Sequence, residues 1–568
     1  MRKLGVAMGM AAAALMTAPR PAEACGGFFC GRQPVDQTAE RILFATNQDG
    51  SVTMVTQIQY AGAAPDFAWV VPLAEVPAVD SLAVFPQLAL TALDTATGPQ
   101  FQWPNDPNCY PAFPEATAGG GSTSGGTDDG DVAVHIREEV GPYDVAVVES
   151  TDPTALIDWL RDNNFRVNDA MAPYIGIYTS EGMKFLALRL KPDAEVTDIQ
   201  PFRFTLPSGS PSIPIRLTAI AAEPEMGITV MILGDRRYGP ANWTDVEIDD
   251  DQIVWSANQW PVQTNWTALV ARSVDEAGGR GFVTEMSGPT IGIADQVRNT
   301  MSSDEQQVAA RDALLPLLEG NTTITRLYTR LSPEEMTVDP IFRRTDGPVV
   351  SNTHLLPRYV DDRDLCVGAP GAEAAGAASP CDFAACGAGG LCRVVEGADG
   401  AQPVAACACV PGTTARTTFD PSGRPTVTCQ DLRMSFLNPG DRALPDAPPL
   451  ADPCATFDCG ANGECVPMNM TPTCRCSTGY VAVGAIAADG SRATTCVLPD
   501  EPVPASFYDR RVPQLPDSLP GGRPVDVPPP AVVAASGGCN AGGHAGSAVG
   551  LSGALLGLLV AVRRRRRS

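Results

Sequence analysis

The sequence predicts an α+β head domain with a strand-rich mixed sheet and a few helices, two small disulfide-rich modules, and a single hydrophobic helix at the C-terminus. Three observations support this prediction. Strand patterns outnumber helical patterns over the first two thirds of the chain and do not alternate with them regularly. Two sets of six cysteines lie between 381 and 496. An apolar stretch from Ala545 to Val562 precedes five consecutive arginines.

The composition argues against several classes of function. The chain has 568 residues, enough for several domains, and a formal net charge of −25 that would repel nucleic-acid phosphates and anionic lipid head groups. Nucleic acid is therefore not an expected partner. Only three histidines occur, His135, His354 and His544, and this scarcity disfavours acid–base catalysis and metal binding. No cofactor and no metal site is predicted.

The first 24 residues have the parts of a secretory signal peptide. Arg2-Lys3 precedes an apolar run at 4–16, which is too short to span a bilayer, and small residues lead to Ala24. We expect cleavage between Ala24 and Cys25, and export of the chain. Acylation of Cys25, as in a lipoprotein, is the less favoured alternative, because Ala22 stands where such sites usually have leucine.

The head, predicted at 25–365, begins with a β-hairpin. Strand patterns at Arg41–Asn47 and Ser51–Tyr60 flank Asp49-Gly50, a pair typical of tight hairpin turns. Short runs rich in apolar and β-branched residues predict the other strands, at Phe67–Leu73, Asp144–Val148, Met183–Leu190, Ile215–Ala221, Ile228–Leu233 and Thr323–Leu331.

Three helices are predicted in the head from apolar residues at helical spacing and from residues typical of helix ends. The signals are Asp152 and Pro153 at the start of the first helix, Trp266 to Val274 with Gly278-Gly279 in the second, and Ser303 with Gln306 at the start of the third. The third helix is predicted to run through Leu315, because Pro316 lacks the amide hydrogen that continues a helix.

The head has no motif of a known catalytic site. Nucleophile-elbow, zinc-protease and dinucleotide-binding motifs are missing, and the glycine-rich run at 119–126 lacks the ending of a phosphate loop. Paired carboxylates remain an option for hydrolysis, with Asp249–Asp251 as a candidate, although such runs are more often solvated loops. Four tryptophans are expected mainly in the core, with a ligand groove as the alternative: Trp243, Trp255, Trp260 and Trp266.

Five segments of the head carry a family resemblance. They lie at 24–30 (Ala-Cys-Gly-Gly-Phe-Phe-Cys), 67–72 (Phe-Ala-Trp-Val-Val-Pro), 141–145 (Gly-Pro-Tyr-Asp-Val), 181–188 (Glu-Gly-Met-Lys-Phe-Leu-Ala-Leu) and 233–237 (Leu-Gly-Asp-Arg-Arg). In these segments the chain resembles a secreted bacterial family, the domain of unknown function 2330, over about 25–345. The resemblance implies a secreted domain and brings no activity, cofactor or catalytic residue.

Twelve of the 17 cysteines fall in two sets of six whose spacings agree at four of the five gaps. The numbers of intervening residues are 4, 5, 14, 1 and 19 in the first set, at 381–429, and 4, 5, 8, 1 and 19 in the second, at 454–496. In an exported chain such cysteines are expected to pair, although spacing alone leaves the pairing open. Zinc is disfavoured because no Cys-x-x-Cys occurs and no histidine lies between 355 and 543.

Each set resembles the EGF-like module, and the second also has a turn glycine and an aromatic residue at Gly479-Tyr480. The resemblance implies the bonds Cys381–Cys392, Cys386–Cys407, Cys409–Cys429, Cys454–Cys465, Cys459–Cys474 and Cys476–Cys496. Calcium binding is not expected. Calcium-binding modules of this kind have acidic residues before the first cysteine, where this chain has Ser379-Pro380 and a lone Asp452.

Four further cysteines are expected to form two structural bonds. Cys25 and Cys30 would make a local clip at the start of the mature chain, and Cys109 and Cys366 a long-range bond. A redox-active Cys25/Cys30 pair is the less favoured alternative, because redox pairs usually have a two-residue gap.

A stalk and a sorting tail are predicted at the C-terminus. Residues 497–538 contain ten prolines, which favour a stiff, solvated stalk. The tail at 539–568 contains Cys539, the apolar stretch and the arginines in that order, and it resembles the MYXO-CTERM sorting tail of myxobacterial surface proteins. The resemblance implies processing by a membrane protease near Gly538-Cys539 and surface attachment through Cys539. A retained single-pass anchor is the alternative.

These features predict a secreted protein held at the cell surface or outer envelope, with binding or adhesion as its function. The expected partners are the membrane, reached through the C-terminal tail, the sorting protease, and an unidentified protein or carbohydrate ligand. A secreted hydrolase with a carboxylate site in the head is the alternative. Two convergent carboxylates with raised pKa values in a deep pocket would favour the hydrolase.

Overall fold

A computed structural model describes residues 37–57, 68–102, 133–163, 165, 171–195, 198–256, 263–356, 379–397, 401–419, 423–436, 439–440, 448–487 and 490–509. Several predicted features lie outside these residues and stay predictions: the signal peptide with Ala24, the cysteines Cys25, Cys30, Cys109 and Cys366, most of the stalk, and the tail with Gly538 and Cys539. In the part of the chain that is described, no helix is both long and apolar enough to cross a membrane.

The head at 37–356 consists mainly of short strands. In chain order they are β1 (Gln37–Thr46), β2 (Val52–Gln57), β3 (Ala68–Leu73), β4 (Ala83–Val84), β5 (Gln100–Gln102), β6 (Ala133–Val140), β7 (Tyr143–Glu149), β8 (Lys184–Leu190), β9 (Phe202–Leu206), β10 (Ala222–Gly234), β11 (Tyr238–Pro240), β12 (Thr244–Val246), β13 (Trp255–Ser256), β14 (Gln263–Thr264), β15 (Gly281–Pro289), β16 (Thr323–Leu331), β17 (Phe342–Arg344) and β18 (Thr353–Leu355). The helices are α1 (Gln87–Thr97), α2 (Pro153–Asp162), α3 (Ala172–Ser180), α4 (Ile215–Thr218), α5 (Trp266–Glu276), α6 (Ile291–Thr300) and α7 (Glu305–Glu319).

The head is built around two sheets. The larger has eight strands in the order β12-β15-β16-β10-β1-β2-β9-β4. It is mixed, because β1 pairs with β10 and β12 with β15 in parallel, whereas its other pairs are antiparallel. The smaller is antiparallel, in the order β3-β8-β7-β6. The prediction of a strand-rich head with a mixed sheet and a few helices is confirmed.

Strand β1 shows why the large sheet is buried on both faces. Successive side chains of a strand point to opposite faces. Ile42 and Phe44 pack into the core that the large sheet shares with the small sheet and with α2, α3 and α5. Leu43 and Ala45 pack into a second core under α1, α6 and α7. An unbroken apolar run in β1 therefore serves two cores at once, one on each side of the sheet.

One predicted strand is wrong. Residues 215–221 form the short helix α4 and a turn rather than a strand, and the next strand begins at Ala222. Ile215 and Leu217 are completely buried. A short apolar run of this kind fits a buried helical turn as well as a strand, and periodicity alone cannot separate the two.

The three predicted helices exist, and the third departs from its expected ends. Its N-cap is Asp304, whose side chain accepts a hydrogen bond from the Gln307 amide, so the predicted capping box at Ser303 is one residue too early. Pro316 does not end this helix, which continues to Glu319. Leu318 is completely buried in the core under α7, and this burial holds the last turn despite the missing hydrogen bond.

The two cysteine modules follow the head. The first cysteine module, 379–436, contains β19 (Gly390–Val395), β20 (Val404–Cys409), β21 (Thr413–Phe419) and β22 (Pro425–Asp431). The second, 448–509, contains β23 (Gly463–Met468), β24 (Thr471–Cys476), β25 (Val481–Ile486), β26 (Arg492–Val497) and α8 (Ala505–Tyr508). Six disulfides join Cys381–Cys392, Cys386–Cys407, Cys409–Cys429, Cys454–Cys465, Cys459–Cys474 and Cys476–Cys496.

The two modules share their sheets. One four-stranded sheet has the order β19-β20-β25-β26 and the other β22-β21-β24-β23, so each sheet takes one hairpin from each module. Residues 505–508, inside the range predicted as a solvated stalk, form α8, and Phe507 is buried against Val410 and Val481. The described start of the stalk is therefore part of the modules.

Candidate functional site

The most unusual local structure of the head is a bulge at the start of β10. The pairing of β1 with β10 shifts here, and residues 223–226 have no partner in β1. Pro224 has no amide hydrogen to offer a neighbouring strand, and Glu225 has a left-handed φ of +57°. A bulge redirects side chains away from a regular sheet, and non-glycine residues in this conformation concentrate at functional sites. Here the bulge faces the cysteine modules.

Glu223, in the bulge, is the centre of a buried ion cluster. Its Oε1 accepts hydrogen bonds from Arg416 Nη2 at 3.2 Å and from Arg492 Nη1 at 2.7 Å. The side chains of Glu223 and Arg416 are only 4% and 3% exposed. Arg416 belongs to β21 of the first module and Arg492 to β26 of the second. A single carboxylate of the head therefore binds both modules.

Arg272 makes a second junction between the head and the first module. From α5 its Nη1 donates to the carbonyl oxygens of Cys381 at 3.1 Å, Asp382 at 3.1 Å and Ala384 at 2.9 Å. Burial lowers the pKa of Arg272, and the neighbouring carboxylate of Asp382 opposes that shift. Because the donor belongs to the head and the three carbonyl groups belong to the first module, this contact forms only when the two parts pack together.

Apolar packing completes the junction. Met434 and Phe436 of the first module and Met468 of the second belong to the same core as the head's two sheets. The ring of Phe436 lies edge-on to that of Tyr174 in α3, with centroids 5.9 Å apart. The cysteine modules are thus stabilised by the hydrophobic surface that they bury against the head as well as by their disulfides.

Beside these contacts lies a group of acidic side chains, named here the carboxyl cluster: Glu225, Asp275, Glu334 and Glu335. Glu225 comes from the β10 bulge, Asp275 from the last turn of α5, and Glu334 and Glu335 from a 3-10 turn at Pro333–Glu335 that follows β16. The three glutamates are more than nine-tenths buried. Buried carboxylates normally pair with cations or metal ions, so this concentration needs a physical account.

The hydrogen bonds of the carboxyl cluster satisfy only part of its oxygen atoms. The Ser332 amide donates to Glu335 Oε2 at 2.7 Å, and the Ser332 hydroxyl lies 3.4 Å from Glu225 Oε1. One oxygen on each of Glu225, Glu334 and Glu335 is buried without a hydrogen-bond partner. Arg330 supplies a positive charge, but its Nε is 3.9 Å from Glu225 Oε2. Even with the backbone amides of Glu334 and Asp431 that donate to Glu334, the described residues provide too few donors for four ionised carboxylates.

Protonation of the carboxyl groups compensates for this shortage of hydrogen-bond donors. Burial, with a smaller contribution from the negative charges of Asp431 and Glu225, raises the pKa of Glu334 to about 8. Burial also raises the pKa values of Glu225, Asp275 and Glu335, and for Asp275 and Glu335 the neighbouring carboxyl groups add to the shift. The negative charge of Asp275 is among the causes that raise the pKa of Glu335, so the protonation of these two groups is linked.

A second polar group surrounds His354. Its Nδ1 lies 2.7 Å from Asp250 Oδ1, and its ring stacks on Phe101 at 5.6 Å and contacts Trp266 at 4.6 Å between centroids. Trp266 Nε1 donates to the buried Glu285 at 2.8 Å. An aspartate on one ring nitrogen fixes the orientation of the ring, while the other nitrogen of His354 is buried without a partner. Asp250, expected in a solvated run, thus binds a histidine.

The other residues singled out from the sequence have structural roles. His135 Nε2 lies 3.0 Å from Glu149 Oε2, and both side chains are partly exposed. Trp243, Trp255 and Trp266 are each less than a tenth exposed, which confirms the core role expected for them, and Trp260 lies outside the described residues. In the residues that the structure covers, no group of three or more His, Cys, Asp or Glu side chains is arranged to hold a metal ion.

Sequence reasoning missed the carboxyl cluster and Glu223. A signal existed in two short segments, Glu-Pro-Glu at 223–225 and Pro-Glu-Glu at 333–335, each next to an apolar strand. Proline beside acidic residues is also typical of solvated loops. The pattern therefore does not distinguish a buried junction from an exposed turn.

Comparisons with known proteins identify a family but no activity. A family model matches residues 19–305, and its description is "Uncharacterized protein conserved in bacteria (DUF2330)". No curated protein matches the chain. Among solved structures, a crystal structure of a mutated baculovirus P35 after caspase cleavage is similar at 10% identity, over 40% of this chain and 76% of that chain, with a TM-score of 0.20. A likeness at that TM-score carries no argument about fold or function.

Proposed function

This chain belongs to the bacterial family of uncharacterized proteins DUF2330, and we propose that it is a secreted protein displayed at the cell surface, where its head and cysteine modules act as one ligand-binding unit. The proposal includes signal cleavage after Ala24, EGF-like character of the two cysteine modules, and processing and attachment at Cys539. The proposed ligand is a surface protein or a carbohydrate of the envelope.

The observation that carries the proposal is the double ion pair of Glu223 with Arg416 and Arg492. It joins the head to both modules at one buried point, and six disulfides hold the modules themselves. A unit that is rigid before it meets its ligand loses less conformational entropy on binding. Disulfides of this number persist in oxidising compartments outside the cytoplasm.

The carboxyl cluster favours binding over hydrolysis. Its raised pKa values would suit a general acid, but a catalytic carboxyl must reach a substrate. Glu225, Glu334 and Glu335 are each less than a tenth exposed, and the first cysteine module lies against them. With the module in place these three glutamates offer little surface to a substrate, so their position suits a structural junction.

Display is tested in the producing bacterium by antibody labelling of intact and lysed cells and by the intact mass of the surface form. The natural chain should label on intact cells, begin at Cys25 and lack Arg563–Arg567. Cys539→Ala should be exported but absent from the surface, whereas the neighbouring change Ser536→Ala should behave as the natural chain. Labelling only after lysis, or a surface form that retains the arginines, would contradict the proposed display and processing.

Binding is tested by adding the purified mature chain to cells of the same bacterium that lack the gene. Saturable retention is expected, and it should fall when the disulfides are reduced. Protease treatment of the cells should abolish retention if the ligand is a protein, and periodate oxidation should abolish it if the ligand is a carbohydrate. An absence of saturable retention on untreated cells would overturn the binding function.

A further inference from the structure

The carboxyl cluster lies at the seam between the head and the first cysteine module. A Cβ placed on Gly387 of the module would be 3.8 Å from Glu225 Oε1, and the backbone amide of Asp431 hydrogen-bonds the Glu334 carboxyl. On the head side, a Cβ on Gly279 would meet Glu335 Oε1 at 2.6 Å. The cluster is thus closed on one side by the turn after α5 and on the other by the first module.

Three acidic and three basic side chains lie around the cluster. Four of them interact with the cluster itself, namely Glu276, Arg272 and Arg330 of the head and Asp431 of the first module. The other two belong to the first module, Asp382 beside Arg272 and Arg433 beside Asp431. Arg272 attracts Asp275, but the three arginines also bind other groups or lie at a distance. Arg272 donates to three carbonyl groups, Arg433 binds Asp431 at 2.5 Å, and Arg330 is 3.9 Å from Glu225. When ionised, the three buried glutamates and the partly exposed Asp275 beside them would therefore repel one another.

We propose that this junction is a proton-operated latch, in which the first cysteine module stays seated on the head while the carboxyl cluster holds its protons and loosens when the cluster ionises. Loosening relieves the repulsion because it admits water to Glu225, Glu334 and Glu335. The second module and the Glu223 ion pairs keep the first module tethered, so the change is local. A chain displayed outside the cell would meet the pH of its surroundings directly.

The direction of the pH dependence follows from the sign of the shifts. The closed junction holds the pKa of Glu334 at about 8, whereas an opened, hydrated glutamate has a pKa near 4.5. The closed form therefore binds more protons than the open form, and raising the pH favours opening. At pH 6 Glu334 is about 99% protonated when closed, and at pH 9 about 10%. The opening equilibrium is expected to increase by about 10- to 100-fold between these pH values.

Hydrogen–deuterium exchange of the purified chain tests the latch. Rates at pH 6 and pH 9 are corrected for the intrinsic effect of pH, and segments 379–397 and 425–436 are compared with β8, which lies in the head's small sheet. Exchange in the two module segments should rise by about 10- to 100-fold, while β8 should change by less than about threefold. Unchanged exchange at the two module segments would overturn the latch.

Glutamine variants separate a proton switch from a merely structural role, because glutamine mimics the protonated carboxyl. Glu334→Gln with Glu335→Gln should stay protected at pH 9, and Glu334→Gln alone should reduce the pH effect if the double variant does not fold. Glu464→Gln, an exposed change in the second module, should respond to pH as the natural chain does. The latch is overturned if Glu334→Gln leaves the pH effect unchanged, if it loosens the junction already at pH 6, or if millimolar calcium chloride protects the junction at pH 9. Because the experiment uses the purified chain, its result does not depend on whether the protein is displayed at the cell surface.

Discussion

Removing the negative charge of Glu223 should show whether the head and the modules form one cooperative unit or are only loosely connected. Glu223→Gln keeps the size of the side chain but leaves Arg416 and Arg492 without the carboxylate that both of them bind, at 3.2 Å and 2.7 Å. The Arg416 side chain is 3% exposed and cannot recover hydration without moving. Arg492, at 20%, can do so in part.

The expected decrease in the free energy of unfolding follows from the burial of Arg416. Breaking a buried ion pair by removal of one partner costs about 3–5 kcal/mol, because the remaining charge stays uncompensated. The glutamine carbonyl still accepts one hydrogen bond and Arg492 is partly hydrated, so the lower end of the range applies, about 3 kcal/mol. With about 2.1 cal/mol/K of unfolding entropy per residue over about 450 residues, this corresponds to a decrease in Tm of about 3 °C.

The assay is thermal and guanidinium denaturation of the oxidised chain, with Glu464→Gln as the matched control. Glu464 forms an ion pair of similar length with Arg475, 2.7 Å, but its side chain is 66% exposed. The control should lose well under 1 kcal/mol, because solvent screens an exposed pair. Equal losses in the two variants would refute the argument that Glu223 joins the modules to the head through a buried charge.

Three further outcomes are expected. Burial raises the pKa of Glu40 to about 7, so Glu40→Gln should leave the unfolding free energy unchanged at pH 4 and increase it by up to about 3 kcal/mol at pH 9; equal effects at both pH values in denaturant titrations would contradict this. Replacing both Cys386 and Cys407 by serine opens a bond with a sequence separation of 21 and should cost about 3 kcal/mol, and an unchanged denaturation midpoint would count against it. Calorimetric titration with calcium should show no site tighter than roughly millimolar, and a micromolar site would overturn the calcium-independent assignment.

Local signals correctly placed ten of the eleven strands and helices that were predicted in the head, whereas helices α1, α3 and α6 and several short strands were not predicted. Asp49-Gly50 set the first hairpin, and Asp152 caps α2 by accepting from the Thr154 amide at 2.8 Å. Such features depend on a few adjacent residues and on backbone conformation. The misplaced end of the third helix shows where local rules stop. Pro316 weakens the helix locally, but the buried Leu318 that holds its last turn depends on tertiary packing.

The modules illustrate a second limit. The cysteine rhythm marks two units along the chain, yet the strands pair across them: Cys407 of the first faces Ala482 of the second, and Ala415 faces Cys474. A repeat in the sequence shows that the units are similar, and it contains no information about which edges of their sheets meet. The shared sheets therefore became visible only in three dimensions.

The carboxyl cluster could not be predicted because its chemistry is created by distant parts of the chain. Glu334 and Glu335 follow a proline in a short turn, and in isolation that turn would be hydrated, with ordinary acidity. Their pKa values rise first because burial removes both side chains from water. Neighbouring carboxylates add to the shift, those of Asp431 and Glu225 for Glu334 and those of Asp275 and Glu225 for Glu335. An acidic segment that sequence patterns assign to solvent thus becomes a proton-binding site once a disulfide-linked module covers it. It follows that the proton affinity of this site depends on whether the first module packs on the head. By linkage, the packing of the module must in turn depend on protonation of the site.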